Sequence, residues 1–181
     1  MDPTLDALDL RLLAELQADA SRSNQDLALA VKVSPATCLR RVRRLTEEGL
    51  VERTVALLSP DKLAQALGHG LTAIVEVLLD TQAAERLDAF EARVCADASV
   101  QQCYRTGGGP DFVLVMQVGD MPAYHAAVQR LFTSDANVRN LKAYFSVKRA
   151  KFQPALPLPP RAERLRAVSY THLTLPTIYS V

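Results

Sequence analysis

Ser34-Pro35-Ala36-Thr37-Cys38-Leu39-Arg40-Arg41-Val42-Arg43-Arg44-Leu45 sets four arginines within five residues on a segment that Gly49 closes. Ser34 suits an N-cap, Pro35 suits the first helical position where no N–H is needed, and Gly49 suits the position after the last turn. At about 100° per residue, Cys38, Leu39, Val42 and Leu45 fall in one arc of roughly 120° that reads as the packed side. Thr37, Arg40 and Arg44 centre the opposite arc, with Ala36 beside them and Arg41 and Arg43 flanking. A helix that packs by one side and offers cations, a hydroxyl and a methyl on the other suits the phosphates and base edges of a DNA major groove. A solvated arginine-rich face would carry the same residues, so the neighbouring segments must separate the two readings.

Upstream, Leu5, Leu8, Leu12, Leu13 and Leu16 form an apolar stripe that predicts a helix over 5–18, with Thr4 as N-cap. Asp6, Asp9, Arg11 and Glu15 are expected to face away from that stripe. A shorter helix follows Ser23, whose spacing to Asp26 resembles a capping box, and it should bury Leu27, Ala28, Ala30 and Val31. Lys32 to Pro35 make a tight connection into the arginine helix. Residues 50–58, rich in Val, Leu and Thr, predict a short two-stranded ribbon. Three helices with a tight turn before the third, then a ribbon, make a winged helix-turn-helix over residues 1–60. In that arrangement the third helix enters the groove.

Downstream, Ser59-Pro60-Asp61 starts a short helix to Leu67, and Gly68-His69-Gly70 breaks the pattern. The order that follows is a strand over 71–79, a helix over 82–96 burying Leu87, Phe90 and Val94, and a strand over 99–106. A loop over 107–110 leads to a strand over 112–118. Asp120 then caps a helix burying Tyr124, Val128, Leu131 and Phe132, and a last strand spans 138–147. This βαββαβ order over 68–152 predicts a ferredoxin-like sandwich, so the chain is α+β. Ile74, Leu78, Val113 and Val115 make the sheet apolar on the face that the helices cannot cover. A second copy of the same face is the expected cover, giving a two-fold dimer.

The segment 153–181 differs in style. Pro154, Pro157, Pro159 and Pro160 end regular structure, and 169–181 carries no Asp, Glu, Lys or Arg. It is expected to be disordered or non-native, the scar of a cloning or sequencing event in place of the natural terminus.

Composition bounds the function. With 181 residues, 49% hydrophobic and 23% charged, the chain reads as one or two globular domains. The net charge is +1, and residues 1–58 hold eight Lys/Arg against nine Asp/Glu. Affinity for DNA must therefore come from local clustering. Cys38, Cys95 and Cys103 lack ligand or disulfide spacing and suit a reducing cytoplasm. No apolar run reaches about 18 residues and no signal peptide opens the chain, so a cytoplasmic protein without membrane contact is expected. His69, His125 and His172 have no partner constellation, no carboxylate pair suits acid/base work, and the glycine triplet lacks the Lys-Ser/Thr of a P-loop. No catalysis, metal or cofactor is expected.

The run Val33 to Leu45, followed by Glu47-Glu48-Gly49-Leu50-Val51, resembles the recognition helix of the Lrp/AsnC family, the leucine-responsive or feast/famine regulators. Leu5 to Asp9, Ala56 to Pro60, Thr106 to Phe112 and Val118 to Tyr124 resemble that family at matching places, so the resemblance spans residues 4–152. It implies a transcription regulator with an N-terminal winged helix-turn-helix and a C-terminal domain, often called RAM, that dimerises through its sheet. Dimers in the family often build octamers, and small amino acids bind between dimers. The family's Gly-x-x-Asp-Tyr/Phe loop maps to Gly108, Asp111 and Phe112, with Gly109 inside it. A carboxylate can pair with an α-ammonium group, and glycine amides can approach an α-carboxylate. The same loop could simply be a tight turn in which Asp111 caps a backbone amide.

The candidate DNA-binding residues are thus Ser34, Ala36, Thr37, Arg40, Arg41, Arg43 and Arg44. Arg40 and Arg44 are assigned to DNA contact, and Arg41 and Arg43 to phosphates or intraprotein partners. The candidate effector residues are Gly108, Gly109 and Asp111. The leading function is a DNA-binding regulator tuned by an amino acid or related metabolite. The competing readings are a metabolite-binding oligomeric scaffold and a small enzyme built on the ferredoxin-like half.

Overall fold

A computed structural model describes residues 5–68, 70–135 and 137–159. The chain separates into two compact units, Met1–Ala56 with Gln153–Val181, and Leu57–Phe152.

In the first unit, α1 (Ala7–Ala18), α2 (Asn24–Val31) and α3 (Pro35–Glu47) surround a core of Leu12, Leu27, Ala28, Val31, Cys38 and Leu45. The cap of α1 differs from the expectation. Asp6 accepts from the amides of Leu8 and Asp9, and the Asp9 carboxylate returns the bond to the Asp6 amide. This reciprocal capping box starts the helix at Ala7, and Thr4 lies outside the described residues. Ser23 caps α2 by accepting from the Asp26 amide, while its hydroxyl donates to the Asp26 carboxylate at 2.6 Å. Ala30, expected inside, is exposed, because the turn of α2 that meets the core is set by Leu27, Ala28 and Val31.

The ribbon expected over 50–58 does not form: residues 52–59 hold neither helix nor strand. Val55, Leu57 and Leu58 are exposed. The segment has no turn residue to fold it on itself, and a lone two-stranded hairpin is marginal in water without a packed face. The described part of the tail meets α1 at Leu156. The Gln17 side-chain amide donates to the Leu156 carbonyl at 3.2 Å and its carbonyl accepts the Leu156 N–H at 2.6 Å, so Leu156 is tied to α1 within a segment, 153–159, that contains no helix or strand. Residues 160–181, including the suspected scar, lie outside the described residues.

In the second unit, Ser59 caps α4 (Pro60–Leu67), which ends at the left-handed Gly68. A Cβ on Gly70 would come within 2.9 Å of the Ala64 Cβ, so only glycine lets the chain leave α4 this closely. Then come β1 (Leu71–Leu79), α5 (Ala84–Cys95), β2 (Val100–Arg105), β3 (Phe112–Val118), α6 (Met121–Val128) and β4 (Val138–Phe145). A π turn, Gln129–Thr133, extends α6. The antiparallel sheet has the order β2-β3-β1-β4, that of a ferredoxin-like βαββαβ sandwich. Ala73, Val75, Val77 and Leu79 of β1 and Phe112, Leu114 and Met116 of β3 meet Phe90, Val94, Tyr124, Leu131 and Phe132 in its core. The opposite face carries Ile74, Val113, Val115, Tyr104 and Tyr144, all partly or fully exposed. Among the described residues, no helix is long and apolar enough to cross a membrane.

Candidate nucleic-acid interface and effector loop

The helix-turn-helix is set by local chemistry. Lys32 ends α2 in the left-handed region at φ 60°, and the Val33 amide returns to the Ala28 carbonyl at 3.0 Å. Ser34 then caps α3 by accepting from the Thr37 amide at 3.2 Å, and the two hydroxyls lie 2.9 Å apart. Asn24 donates from its side chain to the Pro35 carbonyl at 2.9 Å, tying the start of α2 to the start of α3. Thr37, expected on the open arc, is half-buried and engaged with its cap.

The four arginines divide into two pairs. Asp9, expected to face solvent, is wholly buried. Arg44 Nη2 donates to its Oδ2 at 2.6 Å, and Arg41 Nη1 donates to both of its oxygens, at 3.1 and 3.2 Å. Arg41 also reaches Asp6 at 2.6 Å, and Arg44 lies 3.7 Å from Glu48. A buried carboxylate needs such partners, because leaving a charge unpaired away from water is costly. Burial pushes the Asp6 carboxyl up, but the Asp9 amide, the Arg41 guanidinium and the Leu8 amide together hold it below the usual carboxylate range.

This cluster rotates α3 about its axis relative to the expected packing. Arg41 and Arg44 turn toward α1, and Leu39, expected inside, is 58% exposed. The arc left open holds Ala36, Leu39, Arg40, Arg43 and Glu47. Arg43 stands 3.9 Å from Glu47 with its side chain 77% exposed, and Arg40 has no ion pair or hydrogen bond among the described residues. Sequence reasoning missed three residues that shape this surface: Asp6 and Asp9, which hold the inner arginines, and Leu39, which joins the outer ones. At about 100° per residue, Asp9 falls between Leu16 and Leu13, inside the stripe of α1. That was the available signal.

In the second unit, the loop between β2 and β3 places Gly108 at φ 79° and Gly109 at φ 101°, both exposed. These left-handed conformations require glycine. The Thr106 hydroxyl donates to the Pro110 carbonyl across the loop. Asp111 is buried, its Oδ2 accepts the Leu79 N–H at 2.7 Å, and its own amide donates to the Val77 carbonyl at 2.9 Å. One carboxylate oxygen therefore closes the β1–β3 ladder.

Comparison with known proteins places both units. The family model for a winged helix-turn-helix DNA-binding domain matches residues 5–52, and that for the Lrp/AsnC ligand binding domain matches residues 72–156. An uncharacterized HTH-type transcriptional regulator of Haemophilus influenzae is 37% identical over 142 residues, covering 78% of this chain and 82% of the relative. The chain belongs to the Lrp/AsnC family of transcriptional regulators. The DNA-binding transcriptional activator DecR of Escherichia coli is 33% identical to it over 154 residues, covering 85% of this chain and 99% of its own. A Neisseria meningitidis transcriptional regulator, solved as its L-Met complex, superimposes with a TM-score of 0.74 at 31% identity, covering 85% of this chain and 97% of that one. The matched domains are a DNA-binding domain and a ligand binding domain, and the relatives that carry them are transcriptional regulators.

Proposed function

We propose that this Lrp/AsnC protein binds specific operator DNA in the cytoplasm as a homodimer and responds to an amino acid. The observation that carries the reading is the exposed pair Arg40 and Arg43 on a well-capped α3, with Arg41 and Arg44 committed to Asp9. Arg40 and Arg43, with Ala36 between them and Leu39 beside Arg43, form the surface assigned to the major groove. A guanidinium can bind guanine bidentately, and a leucine or alanine can meet a thymine methyl. Ser34 and Thr37, at the helix start, are assigned to phosphate through the cap region. Arg41 and Arg44 act one step back, holding the angle of α3.

Dimerisation is assigned to the open sheet face of Ile74, Val113, Val115, Tyr104 and Tyr144. Glu76 and Lys142, neighbours in register on that face, add a polar pair to an apolar surface. Such a face suits its own two-fold copy. Higher assembly from dimers fits the same family.

The effector reading rests on Gly108, Gly109 and Asp111. The relative from Neisseria was solved with L-Met. In this chain the exposed glycine amides suit a carboxylate, and the Asp111 oxygen not used by Leu79 suits an ammonium. The alternative, a metabolite-binding scaffold without a DNA role, gives the outward Arg40 and Arg43 no task.

A gel-shift titration on the DNA upstream of the protein's own gene tests the proposal. Binding should weaken steeply with added salt, because cations on phosphates release counterions. A folded dimer that ignores this and all genomic DNA at low salt would overturn it. Thermal shift with each of the amino acids tests the effector assignment separately, and no response from any of them would remove it.

A further inference from the structure

Cys95 and Cys103 have no motif spacing, yet the fold brings them together. Arg105 of β2 pairs with Asp88 at 2.6 Å and with Glu91 at 2.9 Å, which fixes how α5 lies along β2. Four residues on from Glu91 along α5 is about 6 Å, and two residues back from Arg105 along β2 is about 6.6 Å. These equal steps lead to Cys95 and Cys103. Both Cys103 and Arg105 sit on the helix-facing side of β2, opposite Leu114 and Phe112 in register, and so away from the open sheet face. Burial first, and then the charge and hydrogen bonding of the adjacent Cys95 thiol, push the Cys103 thiol up to about 12. Cys95 is exposed at the end of α5, Cys103 is half-buried, and Cys38 is buried in the other unit.

We propose that Cys95 and Cys103 form a reversible redox-modification site, closing to an intramolecular disulfide under hydroperoxide. An exposed thiol beside a partly buried one has the arrangement of an attacking and a resolving cysteine. The Cys95 thiol ionises, its thiolate attacks the terminal peroxide oxygen, the O–O bond breaks, and the departing oxygen takes up the proton the thiol released, leaving as water when the oxidant is hydrogen peroxide. Cys95 is then a sulfenic acid. The Cys103 sulfur attacks Cys95 Sγ, the S–S bond forms, the S–O bond breaks, and the leaving hydroxide takes the Cys103 proton to become a second water. Hydrogen peroxide gains two electrons and the thiol pair loses two. The closed bond ties the end of α5 to the edge strand β2, and a dithiol reductant opens it.

Mass spectrometry of the full-length protein tests this. Trypsin cutting at Arg93 and Arg105 releases one peptide, Val94 to Arg105, that carries both thiols. After hydrogen peroxide it should weigh two hydrogen atoms less and refuse alkylation, and dithiothreitol should restore both. Cys38, buried and alone, should be unchanged under the same dose. In Cys103→Ser, Cys95 should accumulate as a sulfenic acid that a 1,3-dione traps. A peptide whose Cys95 passes to sulfinic or sulfonic acid with Cys103 still alkylatable would overturn the proposal. So would a disulfide joining two copies of the chain. The wild-type measurement stands whether or not a variant folds.

Discussion

The Asp9 carboxylate, without solvent exposure, accepts from Arg44 Nη2 at 2.6 Å across the contact of α1 with α3. The bond links the first helix of the DNA-binding unit to the recognition helix. Its partner Arg41 doubles the link, so a single acid sets how α3 is rotated.

Removing that acid should destabilise the protein. Asp9→Asn removes the carboxylate that both guanidinium groups share, leaving Arg41 to Asp6 and Arg44 to Glu48, and losing one partner of a buried ion pair costs several kcal/mol. The arginines are partly exposed, with side chains at 25% and 37%, so the expected loss is near the low end, about 3 kcal/mol. Urea denaturation of the variant measures it. A change within about 0.5 kcal/mol, as at an ordinary surface site, would refute the role given to Asp9.

Arg40 and Arg44 should behave as opposites. Arg40→Ala should leave the unfolding midpoint unchanged and lose about 1–3 kcal/mol of operator discrimination. Arg44→Ala should lower the midpoint, and its DNA defect should follow from the altered seating of α3. Footprinting with parallel thermal melts separates the two. If Arg40→Ala keeps the wild-type footprint, the outer arc does not read DNA.

Acid should weaken the capping cluster with a defined sign. The Asp6 carboxyl is held below its ordinary value in the folded chain. Its stabilisation is therefore complete above the unfolded value, about 3.9, and is lost as pH falls through the lower folded value. The stability gap between wild type and Asp6→Asn should be constant from about pH 7 to 5 and shrink below about pH 4. A gap that widens in acid would show the opposite shift.

Charge on the open sheet face should split the dimer. Ile74 is 40% exposed at the centre of β1, and Val115 pairs with it in register on β3. Ile74→Lys puts a cation where two copies are proposed to meet, and burying it unpaired is costly. Analytical ultracentrifugation should find monomer with unchanged circular dichroism. A dimer of wild-type affinity would place the interface elsewhere.

The βαββαβ order of the second unit could be read from alternation alone, because strand and helix periods differ and each element has one strongly apolar face. The start of α3 was equally plain, since Ser34 and Pro35 act on their immediate neighbours. Helical angles counted from the apolar residues of α3 put Arg44 on the open arc and Arg41 at its flank, on phosphates or an intraprotein partner, and the charge of Asp9 put it in solvent. Their burial depends on a carboxylate and two guanidinium groups meeting across helices.

What the sequence determined by itself was therefore whatever acts over a few residues: caps, turns, apolar periods and the cluster of arginines. Which of those arginines face outward was decided only in the tertiary structure, by the ion cluster at Asp9. The meeting of Cys95 with Cys103 was decided there too, by the register of α5 on β2 that Arg105 holds. Periodicity assigns a residue to a side of its own element, but a contact needs two elements, and their relative rotation is fixed by packing and charge pairing between residues far apart in the chain.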